Sequence, residues 1–113
     1  MNRYRVRITP TAGENLRQAH DWLKEKNSGY AARWLRMMRR AILELATLPE
    51  SHALAPEEAT IGAQIRRKLT GRGTPWRIYF VLREQTVYVL HVRHGRQDDW
   101  QMEALEVKDD DEP

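Results

Sequence analysis

The stretch that decides the fold is residues 75–96, PWRIYFVLREQTVYVLHVRHGR, where two strand-like runs flank a short polar turn. Residues 76–82 and 86–93 are rich in β-branched and aromatic side chains, which strands favour. Glu84 and Gln85 between them suit a two-residue hairpin loop. The sequence therefore predicts an antiparallel β-hairpin.

The alternation of side chains predicts that this hairpin has one apolar and one mixed face. An uninterrupted register pairs Leu82 with Val87, Phe80 with Val89, Ile78 with His91 and Arg77 with Val92. Paired residues share a face. The apolar face then holds Trp76, Ile78, Phe80, Leu82, Val87 and Val89, and the mixed face holds Arg77, Tyr79, Tyr88, Leu90 and His94. Arg77 and His94 become diagonal neighbours, with backbones roughly 7–8 Å apart.

The N-terminal third predicts a strand followed by a helix. Residues 3–8 alternate between arginine and an apolar or aromatic residue, as in a strand with one buried face. Thr11 followed by Glu14 has the form of a capping box. An apolar stripe then repeats at helical spacing until Asn27, formed by Ala12, Leu16, Ala19 and Leu23.

A second helix is predicted from Tyr30 to Leu48, where Pro49 ends it. Its buried side is formed by Trp34, Met38, Ala41, Ile42, Leu45 and Leu48, and its outer side by Arg33, Arg36, Arg39 and Arg40. The outer arginines fit either a solvated helix face or a surface that meets phosphates. Two helices joined so closely form an antiparallel hairpin.

Residues 63–69 complete the pattern as a strand with Ile65 and Leu69 pointing inward and Arg66 and Lys68 on the opposite side. The predicted order is β-α-α-β-β-β. We expect an α+β domain in which the helical hairpin packs on one face of a small, mainly antiparallel sheet. The other face is expected to stay open, with Arg77 and His94 on it.

Composition limits the class of protein. The 113 residues suffice for one domain, predicted at 1–105, followed by an acidic, disordered tail at 106–113. There is no cysteine, which excludes disulfides and thiolate metal sites, and we expect no metal or cofactor. No apolar run approaches the roughly 20 residues that span a bilayer, so we predict a cytoplasmic protein.

Charge is concentrated in the predicted folded part. The net charge is +3, but the last eight residues contribute five acidic groups and one lysine, so residues 1–105 carry about +7. This excess fits an anionic partner, either nucleic acid or an acidic protein segment. An ordinary solvated basic surface is the alternative.

Three segments, IRRKL at 65–69, WRIYFVL at 76–82 and VLHVRHGRQD at 89–98, resemble the RelE/ParE superfamily of toxins from type II toxin-antitoxin modules. The resemblance spans about residues 3–98. It implies a small cognate antitoxin as partner, in a hetero-oligomeric complex. ParE-like members inhibit DNA gyrase without obvious catalysis, whereas RelE-like and YoeB-like members cut messenger RNA on the ribosome.

The long helical hairpin is more similar to ParE, so we predict a gyrase-inhibiting toxin that arrests growth. A ribosome-dependent endoribonuclease is the alternative, and a non-toxic, basic nucleic-acid-binding domain is a second one. Whether the protein is an enzyme stays open at this point.

On the nuclease alternative, the resemblance implies roles for specific residues in a metal-independent cleavage. Arg77 would stabilise the phosphate, His94 would be the acid, and Glu57 or Glu58 would be the base. The phosphate would also be held by Arg66, Lys68 and Arg96. Trp100 departs from the tyrosine that the nucleases carry near their end. A structural role is the alternative for Arg77, as a partner of Asp98 or Asp99, and for His94, as a surface residue.

Overall fold

The elements of the chain follow one another in the predicted order. A computed structural model describes residues 3–55, 64–71 and 76–94. The elements are β1 (Arg5–Ile8), α1 (Pro10–Lys26), α2 (Ser28–Leu43), β2 (Arg66–Thr70), β3 (Trp76–Arg83) and β4 (Thr86–His94). Two short 3-10 turns, Glu44–Ala46 and Pro49–Ser51, follow α2. The β-α-α-β-β-β prediction is confirmed.

The four strands form one sheet in the order β1-β4-β3-β2. β3 is antiparallel to both of its neighbours, whereas β1 runs parallel to β4. A parallel pair cannot be joined by a tight turn, and here the intervening helices and strands make the connection. The sheet is therefore mixed but mainly antiparallel, as predicted.

The helical hairpin covers one face of this sheet and forms the main core with it. Ala12 and Leu16 of α1 and Trp34, Met38 and Ile42 of α2 are buried there. From the sheet side, the core receives Ile78, Phe80, Val87, Val89 and Val92. Burying one such aliphatic or aromatic side chain contributes roughly 1.5–3 kcal/mol, so this interface dominates the stability of the fold.

Helix α1 begins two residues earlier than its predicted capping box. Thr9 is the N-cap, and its Oγ1 accepts a hydrogen bond from the Ala12 amide at 3.3 Å. Pro10 occupies the first helical position, where its missing N–H costs nothing. The Thr9 hydroxyl also donates to the Val89 carbonyl at 2.7 Å and so ties the cap to β4. The prediction that Thr11 caps the helix is wrong.

Asn27 alone separates the two helices. Its amide donates to the Leu23 carbonyl at 2.8 Å, and its side-chain oxygen accepts from the Tyr30 amide at 2.9 Å. Helix α2 then ends at Leu43, and the following 3-10 turn has three residues per turn instead of 3.6. This change of phase contributes to turning Leu48, which has a left-handed φ of 51° and is 64% exposed, away from the core. The predicted burial of Leu48 is wrong.

The β3–β4 hairpin follows its predicted register only as far as Phe80 and Val89. Leu82 pairs with Val87, and Glu84, with φ 55°, and Gln85 form the loop. Beyond Phe80 a β-bulge shifts the register. The pairs there are Tyr79 with His91, Ile78 with Val92, Arg77 with Arg93 and Trp76 with His94.

The bulge arises because Leu90 is an additional residue on β4. One extra residue exchanges the faces of everything that follows it in the strand. The predicted pairs Ile78–His91 and Arg77–Val92 are therefore wrong. His91 moves to the face away from the helices, and His94 moves to the helix face.

The second face of the sheet is partly covered, in contrast to the open face predicted. A smaller buried cluster lies there, formed by Ala55, Ile65, Tyr79 and Leu90. Ile65 is thus buried against this face and not against the helices, while Leu69 is 52% exposed. The strand-like segment at Leu54 forms a bridge with Arg66 at the β2 edge.

Candidate functional site

The structure separates Arg77 and His94, the two central residues of the nuclease hypothesis. His94 is opposite Trp76, and the two rings meet edge to face with centroids 5.0 Å apart at 88°. Arg77 is opposite Arg93 on the other face of the sheet. The prediction that Arg77 and His94 share one face is wrong, because the bulge at Leu90 lies between them and the turn.

A cationic group lies on the second face in place of the expected pair. Arg77 and Arg93 are directly opposite each other, and Arg67 is opposite the adjacent Tyr79. Arg93 is half-buried, and desolvation lowers the pKa of its guanidinium, while Tyr79 has the opposite effect. Like charges directly opposite each other across two strands repel, so this pairing concentrates positive charge on the second face. Arg67 and Arg93 were missed because the β2 register and the bulge were not known.

Lys68 and Arg66 lie on the helix face of the sheet, opposite Ile78 and Phe80. The Lys68 ammonium donates to the Ala41 carbonyl at 2.7 Å and to Glu44 Oε1 at 2.9 Å. The Arg66 guanidinium donates to the carbonyls of His52 at 2.7 Å and Glu50 at 3.2 Å. Both cations therefore fasten the end of α2 and the following turns to the sheet edge. Neither faces the second side of the sheet, where Arg77 lies.

These contacts also change the titration of two neighbours. The hydrogen bond and charge of Lys68 lower the pKa of the Glu44 carboxyl. Burial lowers the pKa of His52, and the charges of Lys68 and Arg66 lower it further. His52 is held with its ring edge-on to Phe80, with centroids 5.9 Å apart. Its surroundings therefore favour the neutral imidazole.

The remaining predicted site residues lie outside the described part of the chain. These are Glu57, Glu58, Arg96 and Trp100, together with Asp98 and Asp99 as alternative partners of Arg77. Their roles in catalysis or phosphate binding stay predictions.

An exposed surface with both charge and apolar area runs along α2. We call it the basic helix face: Tyr30, Arg33, Arg36, Met37, Arg39, Arg40 and Leu43, all of them exposed. The Arg33 guanidinium lies 6.0 Å from the centre of the Tyr30 ring. At its C-terminal end, Arg3 and Arg40 border a shallow cleft of about 480 Å³. Guanidinium groups beside exposed apolar side chains are suited to an acidic amphipathic segment.

A second, half-open cleft of about 450 Å³ lies between α1 and the ends of β3 and β4, and we call it the aromatic cleft. Helix α1 contributes Asn15, Gln18, Ala19 and Trp22. The sheet contributes Trp76, Val92, Arg93 and His94. Trp22 is 56% exposed, and the Lys26 ammonium lies 5.0 Å from the centre of its ring. The cleft thus combines two indole rings with basic groups.

In the ranges 3–55, 64–71 and 76–94, no helix is long and apolar enough to cross a bilayer.

A comparison with solved structures supports the architecture described above. A chain from the structure of a chromosomal ParDE TA system from P. aeruginosa superposes with a TM-score of 0.66, at 15% sequence identity. The match covers 80% of this chain and 95% of that chain, and at this identity it shows the fold alone. The comparison with curated proteins gave no match.

The comparison with family models goes further. The model that describes the ParE toxin of the type II toxin-antitoxin system parDE matches residues 6–99. This range begins in β1 and includes both helices and all the other strands. The chain therefore belongs to the ParE toxin family of type II toxin-antitoxin systems.

Proposed function

We propose that this toxin arrests growth by binding DNA gyrase and that a cognate antitoxin neutralises it. The observation that supports this proposal is the position of Arg77 and His94 on opposite faces of the sheet. General acid catalysis and phosphate stabilisation require both groups at one scissile phosphate. With the sheet between them, action through surface contact is favoured over cleavage of RNA. Such a target would place the protein in the cytoplasm.

The antitoxin would cover the basic helix face. Four arginines there alternate with Tyr30, Met37 and Leu43, so an acidic segment with its own apolar stripe would find both charge and apolar partners. Opposite charges would speed the encounter, and the apolar side chains would supply most of the affinity.

The experiment is controlled expression in a bacterial host, in which plasmid supercoiling and transcript ends are followed together. Growth arrest with loss of negative supercoiling and intact transcripts supports the proposal. Cuts within translated messages would refute it in favour of the ribosome-dependent endoribonuclease. Normal growth with the folded protein present would refute both toxin mechanisms.

The antitoxin surface has its own test, which is co-expression with the product of the neighbouring gene. The paired charge reversal Arg36→Glu and Arg39→Glu should abolish the relief of growth arrest. The matched control is Arg17→Glu with Arg83→Glu, two exposed arginines outside the basic helix face. Equal relief with both pairs would show that the antitoxin binds elsewhere.

The alternative of a non-toxic nucleic-acid-binding domain can be tested with the isolated protein. The pairing of Arg77 with Arg93 across β3 and β4 is the feature that favours it. Binding that falls steeply with salt, together with normal growth on expression, would support this alternative.

A further inference from the structure

The aromatic cleft has a preformed wall on its sheet side. Trp76 packs against the buried Trp34 with ring centroids 4.9 Å apart, and its other neighbour is His94 at 5.0 Å. Trp34 is 1% exposed, so this wall rests on the core and does not depend on a ligand to hold it. A rigid aromatic surface loses little conformational entropy when another group covers it.

The helix side of the cleft is also held in place and is apolar at its rim. Asn15, Ala19 and Trp22 follow one another at helical spacing on one side of α1. The side-chain oxygen of Asn15 accepts a hydrogen bond from the Val92 amide at 3.1 Å, which fixes the distance between helix and strand. Trp22 leaves more than half of its large apolar surface accessible, and indole rings in this position are common anchors for a docked chain.

Strand β4 brings the chain to this cleft at His94. Strand β4 ends at His94, which is part of the cleft wall, and 19 residues follow it. Trp100 comes six residues later, and Met102 and Leu105 follow. Six residues span up to about 20 Å when extended, so Trp100 can reach the cleft without strain.

The charge of these last residues is opposite to that of the cleft. Half of the sixteen acidic residues of the protein lie in 97–113, against a single lysine there. The positive charge at the cleft is the Lys26 ammonium, which lies beside its rim, 5.0 Å from the centre of the Trp22 ring. Because the segment is covalently attached, its local concentration at the cleft is far above that of any free competitor.

We propose that the aromatic cleft is the docking site of this chain's own C-terminal segment, residues 97–113, with Trp100 seated against Trp22 and Trp76. The acidic residues around Trp100 face the Lys26 ammonium, which lies over the Trp22 ring. The docking depends only on this chain, and it holds whether or not gyrase is the target.

Fluorine NMR tests the proposal directly, because the chain has four tryptophans. Protein made by cell-free synthesis with 5-fluorotryptophan should give four resonances, assigned by single Trp→Phe variants. The Trp100 resonance should differ from that of the free peptide 97–113 and be protected from a soluble paramagnetic agent. In the variant Trp22→Ala it should move towards the peptide position. Tyr30→Ala, which removes an exposed aromatic of α2, is the matched control and should leave it unchanged.

A chain that ends at Arg96 provides the second measurement. Its Trp22 resonance should be broadened more by the paramagnetic agent than in the full chain, and added peptide 97–113 should reverse this. Peptide with Trp100→Ala should not, and 0.5 M salt should weaken the effect. A Trp100 resonance equal to that of the free peptide, or protected but unaffected by Trp22→Ala, would overturn the proposal. So would peptide binding that is indifferent to salt.

Discussion

His94 meets Trp76 edge to face, with their ring centroids 5.0 Å apart, on the side of the sheet that Arg77 does not occupy. The contact extends the aromatic packing that begins at the buried Trp34. It gives His94 a structural role at the end of β4 that requires no proton transfer.

Replacing His94 by alanine should therefore lower stability and leave growth arrest intact. An edge-to-face ring pair is worth about 0.5–1.5 kcal/mol beyond its buried area. A double-mutant cycle with Trp76→Leu, measured by urea unfolding, should show a coupling of that order. Loss of growth arrest in a His94→Ala protein of unchanged stability would indicate a chemical role instead.

Variants of Thr9 and Thr11 test which of the two threonines caps α1. Thr9→Val removes both the acceptor for the Ala12 amide and the donor to the Val89 carbonyl, and should cost about 1–2 kcal/mol. The hydroxyl of Thr11 is buried without a partner among the described residues, so Thr11→Val should be neutral or stabilising. Urea unfolding of the two variants measures the difference. Equal losses would contradict the assignment of Thr9 as the cap.

Lys68 should be a structural cation. Lys68→Met leaves the Ala41 carbonyl without its charged donor, and hydrogen bonds of this kind contribute about 1.5–3 kcal/mol. Glu44→Gln removes only an exposed ion pair and should cost less than about 1 kcal/mol. The midpoint of urea unfolding distinguishes the two effects. An unchanged midpoint in Lys68→Met would leave Lys68 free for a role in phosphate binding.

His52 should make stability depend on pH in weakly acidic solution. Its pKa lies below the ordinary value of 6.5 in the folded protein, because burial and two nearby cations disfavour the imidazolium. The unfolded chain therefore binds the proton more readily, and stability should fall as the pH drops below about 6.5. The variant His52→Gln should show a flatter profile between pH 7.5 and 5.5 in thermal unfolding. The same slope in both proteins would rule out His52 as the cause.

Local patterns were sufficient to predict most of the fold. The stripe from Ala12 to Leu23 and the apolar side of α2 follow the helical period, and the hairpin loop follows from the two polar residues Glu84 and Gln85. The predicted β3–β4 register is wrong beyond Leu90. Because the additional residue in the bulge is itself apolar, the break in the alternation of side chains along β4 is hidden. The bulge leaves one sign in the sequence: Val89 and Val92 are both buried on the helix side, although they are three residues apart.

The candidate site was less predictable because its geometry depends on contacts between residues that are far apart in the sequence. Lys68 finds the Ala41 carbonyl 27 residues away, and no local pattern contains that pairing. The same is true of Arg93, whose position opposite Arg77 follows only once the bulge is known. Single residues could be selected from the sequence, but which of them share a face could not.

The parallel pairing of β1 with β4 has a consequence for how the toxin folds during its synthesis. The Thr9 hydroxyl bonds a carbonyl 80 residues further along, so the first and last strands complete the sheet together. Such non-local contacts require the closure of a long loop and slow the folding of a small domain. A nascent chain that stops before β4 lacks the central strand on which both β1 and β3 pair. Translation that terminates before β4 should thus yield a harmless fragment, and the sheet can form only after His94 has been synthesised.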